Sequence, residues 1–246
     1  MRFGGNDMKY QQSLVVFMDI LGFKEYVLKE CEELDGIYSI FEFAKKIQYL
    51  YDTSELHGVK IGFFSDSFVL TTTDISKSGF MSLMIACHMI NICLFKGIHL
   101  CSRGAVTIGR VYHHEGIVFG PGVVKAYEME RDKAKFVRML VDEEVVQVVN
   151  NFVLTPKTED GYYELNWFMI AIQDGVKSGE YQHEKSIELA KRYRGYLLEL
   201  IEEYKSTRIY EKYKSLVELF NKFCCNMAIS SRDNSYIELA IKEDEC

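Results

Sequence analysis

Apolar residues along the chain occur either in short continuous runs or three and four positions apart. These two patterns predict the order of strands and helices. The apolar run from Leu14 to Asp19 is typical of a buried strand. From Phe23 to Tyr51, apolar residues recur three and four positions apart, as on one face of a helix. The same pattern predicts strands at Val59–Phe64, Ser67–Thr73, Ile98–Tyr112 and Phe136–Val141, and helices at Ser78–Phe95, Val123–Arg131 and Asp142–Asn151.

The predicted order β-α-β-β-α-β-α-β is the split βαβ pattern of a ferredoxin-like α+β fold, an α/β sandwich. After residue 154 the pattern changes to one strand, Tyr163–Ile172, followed by amphipathic helices at Glu184–Lys205 and Tyr210–Met227. We therefore expect a disordered segment at residues 1–12, a core domain at 13–154 and a mainly helical extension packed on the core at 155–246.

Charge and composition limit the possible partners of the 246-residue chain. Its net charge of −7 argues against nucleic acid or an anionic membrane as the main partner. The longest apolar run, Phe80–Phe95, contains His88 and Asn91, and we expect it to be too short and too polar to span a bilayer.

The cysteines indicate the redox compartment. The seven cysteines form no CxxC pair, and no basic-then-apolar leader opens the chain. This usage is typical of reduced thiols in the cytoplasm.

A carboxylate ends the first predicted strand, in the stretch FMDILGF (Phe17–Phe23). A buried charge without a partner is costly, so Asp19 either caps the next element or carries a cation. A second carboxylate, Asp66, stands in the turn of the predicted hairpin, and a βαββ unit places that hairpin beside the first strand. An ordinary turn residue remains the alternative for Asp66.

Two neighbouring carboxylates repel each other, and a divalent cation removes the repulsion. Mg²⁺ is often held by one or two carboxylates together with the phosphate oxygens of a substrate. The turn Leu21-Gly22-Phe23 follows Asp19 and leads into a helix, where backbone N–H groups can hold a phosphate. The sequence therefore predicts a site for a cation and a phosphate at this end of the sheet.

These residues resemble the catalytic domain of the class III nucleotidyl cyclases. The resemblance covers residues 13 to 141 and rests on F-x-D-I-x-G-F, the hairpin Asp, the Arg103-Gly104 pair and a glycine-rich turn before a helix. It implies that the 13–154 core is a catalytic domain and that Asp19, Asp66 and the Ile20 carbonyl bind two Mg²⁺ or Mn²⁺ ions. It also implies a homodimer with active sites at its interface.

The chain departs from the purine cyclases of that family at the residues that read the base. Gly62 stands where they carry a Lys, and Ile117 where they carry an Asp or Cys. The segment Val123–Glu128 lacks the Asn and Arg of their V-N-x-A-x-R motif. The departures fit either a catalytically silent module that binds a nucleotide or a protein, or a cyclase for another base; a purine cyclase ranks third.

Three motifs favour another base: FSDS at Phe64–Ser67, SRG at Ser102–Gly104, and FGPG with AYEME from Phe119 to Glu130. They resemble the pyrimidine cyclases of the bacterial Pycsar anti-phage systems. The resemblance implies conversion of UTP, favoured over CTP, to the 3′,5′-cyclic monophosphate and pyrophosphate. A separately encoded effector would then sense the cyclic nucleotide.

Basic side chains near the strand ends are candidates for the cation that stabilises the leaving pyrophosphate. Arg103 and Arg138 are the first candidates; Lys125 and Arg110 are further ones, each with a solvated surface charge as the alternative.

The backbone N–H groups of Leu21, Gly22 and Phe23 are expected to hold the β- and γ-phosphates. Gly62 beside Phe64 could admit and stack a base, with a core position as the alternative for Phe64. Since no third ligand stands at a suitable spacing, the pair His113-His114 is interpreted as solvent-facing, with metal ligands as the alternative.

Overall fold

The strands and helices are those of a computed structural model, which describes residues 9–30, 34–55, 58–148, 154, 157–170, 183–205 and 210–242. The strands are β1 (Gln11–Ile20), β2 (Lys60–Phe64), β3 (Ser67–Thr72), β4 (Ser102–His114), β5 (Ile117–Phe119), β6 (Met139–Val141) and β7 (Tyr163–Glu164). The helices are α1 (Phe23–Glu30), α2 (Leu34–Glu55), α3 (Lys77–Ile98), α4 (Pro121–Lys133), α5 (Glu143–Val146), α6 (His183–Tyr204), α7 (Tyr210–Ser231) and α8 (Ser235–Glu238).

The strands form one mixed sheet in the order β2-β3-β1-β4-β6-β7, with β5 paired to β4. β1 runs antiparallel to both of its neighbours, β3 and β4, whereas β4 and β6 are parallel. Because β3 lies between β1 and β2, the first four strands have the split βαβ arrangement of a ferredoxin-like core. The predicted α+β fold class is therefore confirmed.

Alternate residues of the central strand pack against different helices, as the two-residue period of a strand requires. Met18 is opposite Phe68 in the register, and the Phe68 ring lies 6.3 Å from that of Phe43 in α2. Val15, an odd number of residues away, belongs to a buried cluster with Ala126 of α4. Helices thus cover both faces of the sheet.

Helix α4 begins in direct contact with β4. A Cβ atom on Gly109 would lie 2.5 Å from the Cα of Gly122, which is too close for any side chain. The Thr107 hydroxyl donates to the Gly122 carbonyl at 3.3 Å, and Pro121 occupies the first turn of the helix. The glycines of this motif therefore allow the helix backbone to approach the sheet.

The chain divides into two compact units. The first comprises Met1–Lys135 and Met139–Leu165, and the second comprises Phe136–Arg138 and Asn166–Cys246. In the second unit, the Phe168 ring lies 5.1 Å from the rings of both Tyr193 in α6 and Phe220 in α7. The first unit extends to Leu165, beyond the predicted boundary at residue 154.

Several predicted boundaries are wrong. β1 begins at Gln11, so residues 11 and 12 are not part of a disordered segment; residues 1–8 lie outside the described residues. The region predicted as mostly helical, Phe23 to Tyr51, contains α1 and α2, and residues 31–33 between them lie outside the described residues. The strand predicted at Tyr163–Ile172 ends at Glu164, and residues 167–170 are helical because the Asn166 side chain caps the Phe168 N–H at 3.2 Å.

Helix α3 is longer than the apolar run that predicts it. Ser76 caps its N-terminus by accepting from the N–H groups of Ser78 and Gly79. Its 22 residues meet the length and composition of a membrane span, contrary to the expectation from Phe80–Phe95, although half of its most apolar stretch is buried. No other described helix meets that test. The cysteines within the described residues are free thiols: Cys87, Cys93, Cys101, Cys224 and Cys225.

Candidate active site at the end of the first strand

The end of β1 and the β2–β3 turn are hydrogen-bonded to each other. The Ile20 N–H donates to the Asp66 carbonyl at 2.8 Å, and Asp19 is opposite Ser67 in the β1–β3 register. The two predicted metal-binding residues, Asp19 and Asp66, are therefore brought together although they are far apart in sequence. The split βαβ topology causes this, because β3 inserts beside β1.

Asp19 has a cationic partner within the chain, Arg103, which the sequence analysis did not assign to it. Arg103 faces Asp19 across the β1–β4 register, and its Nε and Nη2 atoms both lie 3.3 Å from Asp19 Oδ2. Its Nη1 donates to the Ala134 carbonyl at 3.0 Å. Arg103 is thus held in place beside Asp19 by three separate contacts.

A buried glutamate that the sequence analysis missed completes this cluster. Glu130 of α4 is only 3% exposed, and its Oε1 lies 2.7 Å from Arg103 Nε. Burial raises the pKa of Glu130 to about 7, with Asp19 acting in the same direction and the Arg103 charge opposing both. Gly122, Ala126 and Glu130 are the buried residues of α4 and lie four positions apart, so helical periodicity was the available signal.

The Asp66 carboxylate, unlike that of Asp19, has no basic side chain beside it among the described residues. Its side chain is partly exposed, and its only described partner is the Ser67 hydroxyl, which lies 3.4 Å from Oδ1. Among the described residues, no cationic side chain pairs with the Asp66 carboxylate. An oxygen-binding cation would therefore satisfy a charge that the described protein groups leave unmatched.

The turn after Asp19 offers fewer N–H groups than predicted. The Leu21 N–H donates to the Cys101 carbonyl at 2.9 Å and so does not hold a phosphate; this part of the prediction is wrong. Gly22 has φ +80°, a left-handed conformation that favours glycine, and its carbonyl accepts from the Tyr26 N–H at 2.9 Å. Helix α1 begins at Phe23, so the N–H groups of Gly22 and Phe23 remain the candidates at this helix start.

The two residues predicted to bind the base, Gly62 and Phe64, have different surroundings. A Cβ on Gly62 would lie 3.2 Å from Val118 and 3.6 Å from the His113 ring, so the β4–β5 hairpin already occupies the space beside it. Phe64 is 84% exposed, so it is not a core residue and the core alternative is wrong. An exposed aromatic ring next to Asp66 is available for stacking.

The other basic candidates have different surroundings. Lys125 pairs with Asp142 and Glu144, each at 3.2 Å, on the surface of the first unit, which supports its surface-charge alternative. Arg110 is exposed, 6.0 Å from the ring of Tyr10. Arg138 directly precedes β6 and is assigned to the second unit.

The prediction that His113 and His114 both face solvent is confirmed for His114 and wrong for His113. His114 is exposed, but His113 packs back onto the sheet, and its Nδ1 lies 2.7 Å from the Thr71 hydroxyl. Burial, together with the charge of Lys60, lowers the pKa of His113 to about 4.

The residues present suit a hard divalent cation but do not enclose one. Asp19, Asp66 and the Ile20 carbonyl supply oxygen donors, which Mg²⁺ and Mn²⁺ prefer. No cluster of three or more potential ligands from His, Cys, Asp and Glu occurs in the described ranges. The fit is therefore to an ion that completes its coordination with oxygens from water or substrate.

Comparison with solved structures gives matches that are cyclase domains, at low identity. Adenylyl cyclase CyaB of P. aeruginosa is 14% identical with a TM-score of 0.49; the match covers 64% of this chain and 94% of the CyaB chain. The guanylyl cyclase domain of the RhoGC fusion protein of Blastocladiella emersonii is 18% identical with a TM-score of 0.47, covering 64% and 95%. At these identities the likeness concerns the fold alone.

A class III adenylyl cyclase-like ATP-binding protein of Pseudomonas aeruginosa is 11% identical with a TM-score of 0.49, covering 66% of this chain and 40% of its own. No protein-family model matches the chain, and no curated protein matches it.

Proposed function

We propose that this chain is a metal-dependent pyrimidine nucleotidyl cyclase, which converts UTP or CTP to the 3′,5′-cyclic monophosphate and pyrophosphate. The observation that carries the proposal is the adjacency of Asp19 and Asp66, fixed by the 2.8 Å hydrogen bond from Ile20 to the Asp66 carbonyl. The pyrimidine substrate rests on the missing purine determinants at Gly62 and Ile117 and on the FSDS and AYEME motifs.

In the proposed reaction, the ribose 3′-oxygen forms a bond to the α-phosphorus and gives its proton to solvent water, while the bond from phosphorus to the pyrophosphate oxygen breaks and pyrophosphate leaves. Two Mg²⁺ or Mn²⁺ ions, held by Asp19, Ile20 and Asp66, would screen the phosphate charge and lower the pKa of the 3′-hydroxyl. The protein's own groups bind and orient the triphosphate.

Arg103 is the side chain best placed to contribute positive charge. Its guanidinium is shared between Asp19 and Glu130, at 3.3 and 2.7 Å. Glu130 is a positioning residue in this proposal because it holds the guanidinium beside Asp19 without itself being exposed to a substrate. The N–H groups of Gly22 and Phe23 are the proposed backbone contacts to the terminal phosphates, and Phe64 is the proposed stacking surface for the base.

The biological setting follows from the resemblance to the Pycsar cyclases. We propose a cytoplasmic homodimer with active sites at the interface, whose cyclic UMP or cyclic CMP acts as a second messenger in anti-phage defence and is sensed by a separate effector. The acidic net charge supports a role that requires neither nucleic acid nor an anionic membrane.

One observation favours the alternative of a silent nucleotide-binding module. Asp19 is already paired with Arg103, and the Leu21 N–H is already bonded to Cys101, so part of the expected machinery is occupied within the protein. A silent module would be stabilised by a triphosphate without forming product.

Incubation with ATP, GTP, CTP and UTP in Mn²⁺, followed by mass analysis, distinguishes these functions. Cyclic UMP or cyclic CMP from the purified protein supports the cyclase and names its base. Cyclic AMP or cyclic GMP as the main product would overturn the pyrimidine assignment. Four unreacted triphosphates, with a rise in the melting temperature caused by one of them, would favour the silent module.

A further inference from the structure

A cavity of about 170 Å³ lies in the first unit, at the end of the β2–β3 hairpin opposite to Asp66. Side chains from the beginning of β1 and β2 and from the ends of β3 and β4 line it, among them Ser13, Lys60, Thr71, Thr72 and His113. Lys60 begins β2, whereas Asp66 lies in the turn that follows that strand. At about 3.3 Å per residue, the two positions are roughly 20 Å apart.

Among the described residues that line the cavity, Lys60 carries the one charged side chain, and no described carboxylate is its counter-ion. Lys60 is half-buried, and its Nζ donates to the His113 carbonyl at 2.7 Å. Within the described part of the chain, no carboxylate pairs with Lys60. A partly buried ammonium beside a neutral carbonyl leaves its positive charge unmatched, which favours an anionic ligand.

The remaining polar groups of the cavity are neutral. Ser13, Thr71 and Thr72 are 3–4% exposed and contribute hydroxyl groups. The Ser13 hydroxyl donates to the Gln11 carbonyl at 3.2 Å, and the Thr72 hydroxyl accepts from the Asp74 N–H at 3.2 Å, so Thr72 still has a proton to donate. The Thr71 hydroxyl lies 2.7 Å from His113 Nδ1. Because burial and the Lys60 charge lower the pKa of His113 to about 4, this ring is neutral at pH 7 and places no second charge in the cavity.

We propose that this cavity binds a small oxyanion, a phosphate or carboxylate group held by Lys60 and the surrounding hydroxyls. None of the described residues that line the cavity is a carboxylate that would repel such a group. Its volume is below that of ordinary drug-sized sites, so the ligand is an inorganic ion or a short acid and not a nucleotide. The site is separate from the Asp19–Asp66 end, and the proposal does not depend on the proposed cyclase activity.

Calorimetric titration of the full chain tests the proposal, with inorganic phosphate and acetate as separate probes, in EDTA and at matched ionic strength with chloride. We expect saturable binding of at least one probe. Lys60→Gln keeps a donor for the His113 carbonyl but removes the charge, and it should raise the Kd about tenfold or more. Lys77→Met, which removes an exposed charge at the start of α3, is the matched control and should bind as the native chain does.

Two further variants separate the possible outcomes. Thr71→Val should also raise the Kd. If Lys60→Gln does not fold, an unchanged Kd for Thr71→Val would overturn the proposal. Asp66→Asn should leave phosphate binding unchanged, which separates this site from any phosphate site near Asp19. Absence of saturable binding of both probes, or equal binding by Lys60→Gln and the native chain, would overturn the proposal.

Discussion

The two ends of the β2–β3 hairpin carry opposite charges that the described protein groups do not match. At the turn, the Asp66 carboxylate has only the Ser67 hydroxyl beside it, and Asp19 lies on the neighbouring strand. At the other end, the His113 carbonyl is the described group that the Lys60 ammonium contacts. One short hairpin therefore carries the proposed cation site at one end and the proposed anion site at the other.

Asp19 shows how the first end differs from a simple metal site. Its partner Arg103 also contacts the buried Glu130, so a carboxylate that a metal would use is already stabilised within the protein. Asp19 is paired with Arg103, whereas Asp66 contacts only a hydroxyl among the described residues. Two carboxylates that are adjacent in the sheet therefore have different electrostatic environments. The predictions below test this contrast in order of decreasing expected effect.

Replacing Asp66 with Asn should reduce cyclase turnover by about 10³-fold, because the change removes a carboxylate that no other described group replaces. Stability should change by less than about 0.5 kcal/mol, since the side chain is partly exposed in a turn. Product formation from UTP and CTP and urea unfolding measure the two effects. Glu128→Gln removes a charge from the exposed side of α4 as a control; equal losses in both variants would contradict a specific role for Asp66.

Replacing Arg103 with Met should destabilise the fold by about 1–3 kcal/mol, because it removes the guanidinium contacts to Asp19, the Ala134 carbonyl and Glu130. Glu130→Gln in the same chain should recover part of that loss, as a double-mutant cycle by urea unfolding would show. Lys125→Met breaks exposed ion pairs instead and should cost at most about 1 kcal/mol. Strictly additive losses for Arg103 and Glu130 would contradict the proposed coupling.

The pH dependence of stability should reveal the buried carboxyl group of Glu130. Its pKa is raised from the ordinary 4.5 to about 7, so the folded protein binds the proton more tightly than the unfolded chain does. The contribution of this group to the free energy of unfolding therefore falls as the pH rises from about 4.5 to about 7 and is constant above that range. Arg103, Asp19, Arg131 and Asp132 are the charged groups that act on it.

Urea unfolding at several pH values, for the native chain and for Glu130→Gln, isolates this contribution. The difference between the two free energies of unfolding should change steadily across that window. A difference that is constant from pH 4.5 to 7 would show that the pKa of Glu130 is not raised in the folded state.

Replacing Phe64 with Ser should have the smallest effect on stability, below about 0.5 kcal/mol, because its ring is 84% exposed. If the ring stacks on the base, the KM for the pyrimidine triphosphate should rise about fivefold or more, since one base–aromatic stack contributes about 1–3 kcal/mol. Steady-state kinetics measures this change. An unchanged KM would remove Phe64 from the proposed base site.

The sheet and the adjacency of Asp19 and Asp66 were predictable because strand periodicity and the βαββ order determine them together. The partner of Asp19 was harder to predict, since Arg103 reaches it only in one cross-strand register. The role of Glu130 depends on the rotation of α4, which places Glu130 inward but leaves Glu128 exposed. The Leu21 N–H was assigned to a phosphate because the sequence does not reveal its bond to Cys101.

The central claim is that the Asp19–Asp66 end binds a divalent cation together with a triphosphate. Electron paramagnetic resonance of Mn²⁺, titrated with the protein in the presence of a non-hydrolysable UTP analogue, tests it most directly. We expect the signal of the free Mn²⁺–nucleotide complex to decrease with the native chain and with Lys60→Gln, but not with Asp66→Asn. An equal decrease with Asp66→Asn, or none with the native chain, would contradict the account.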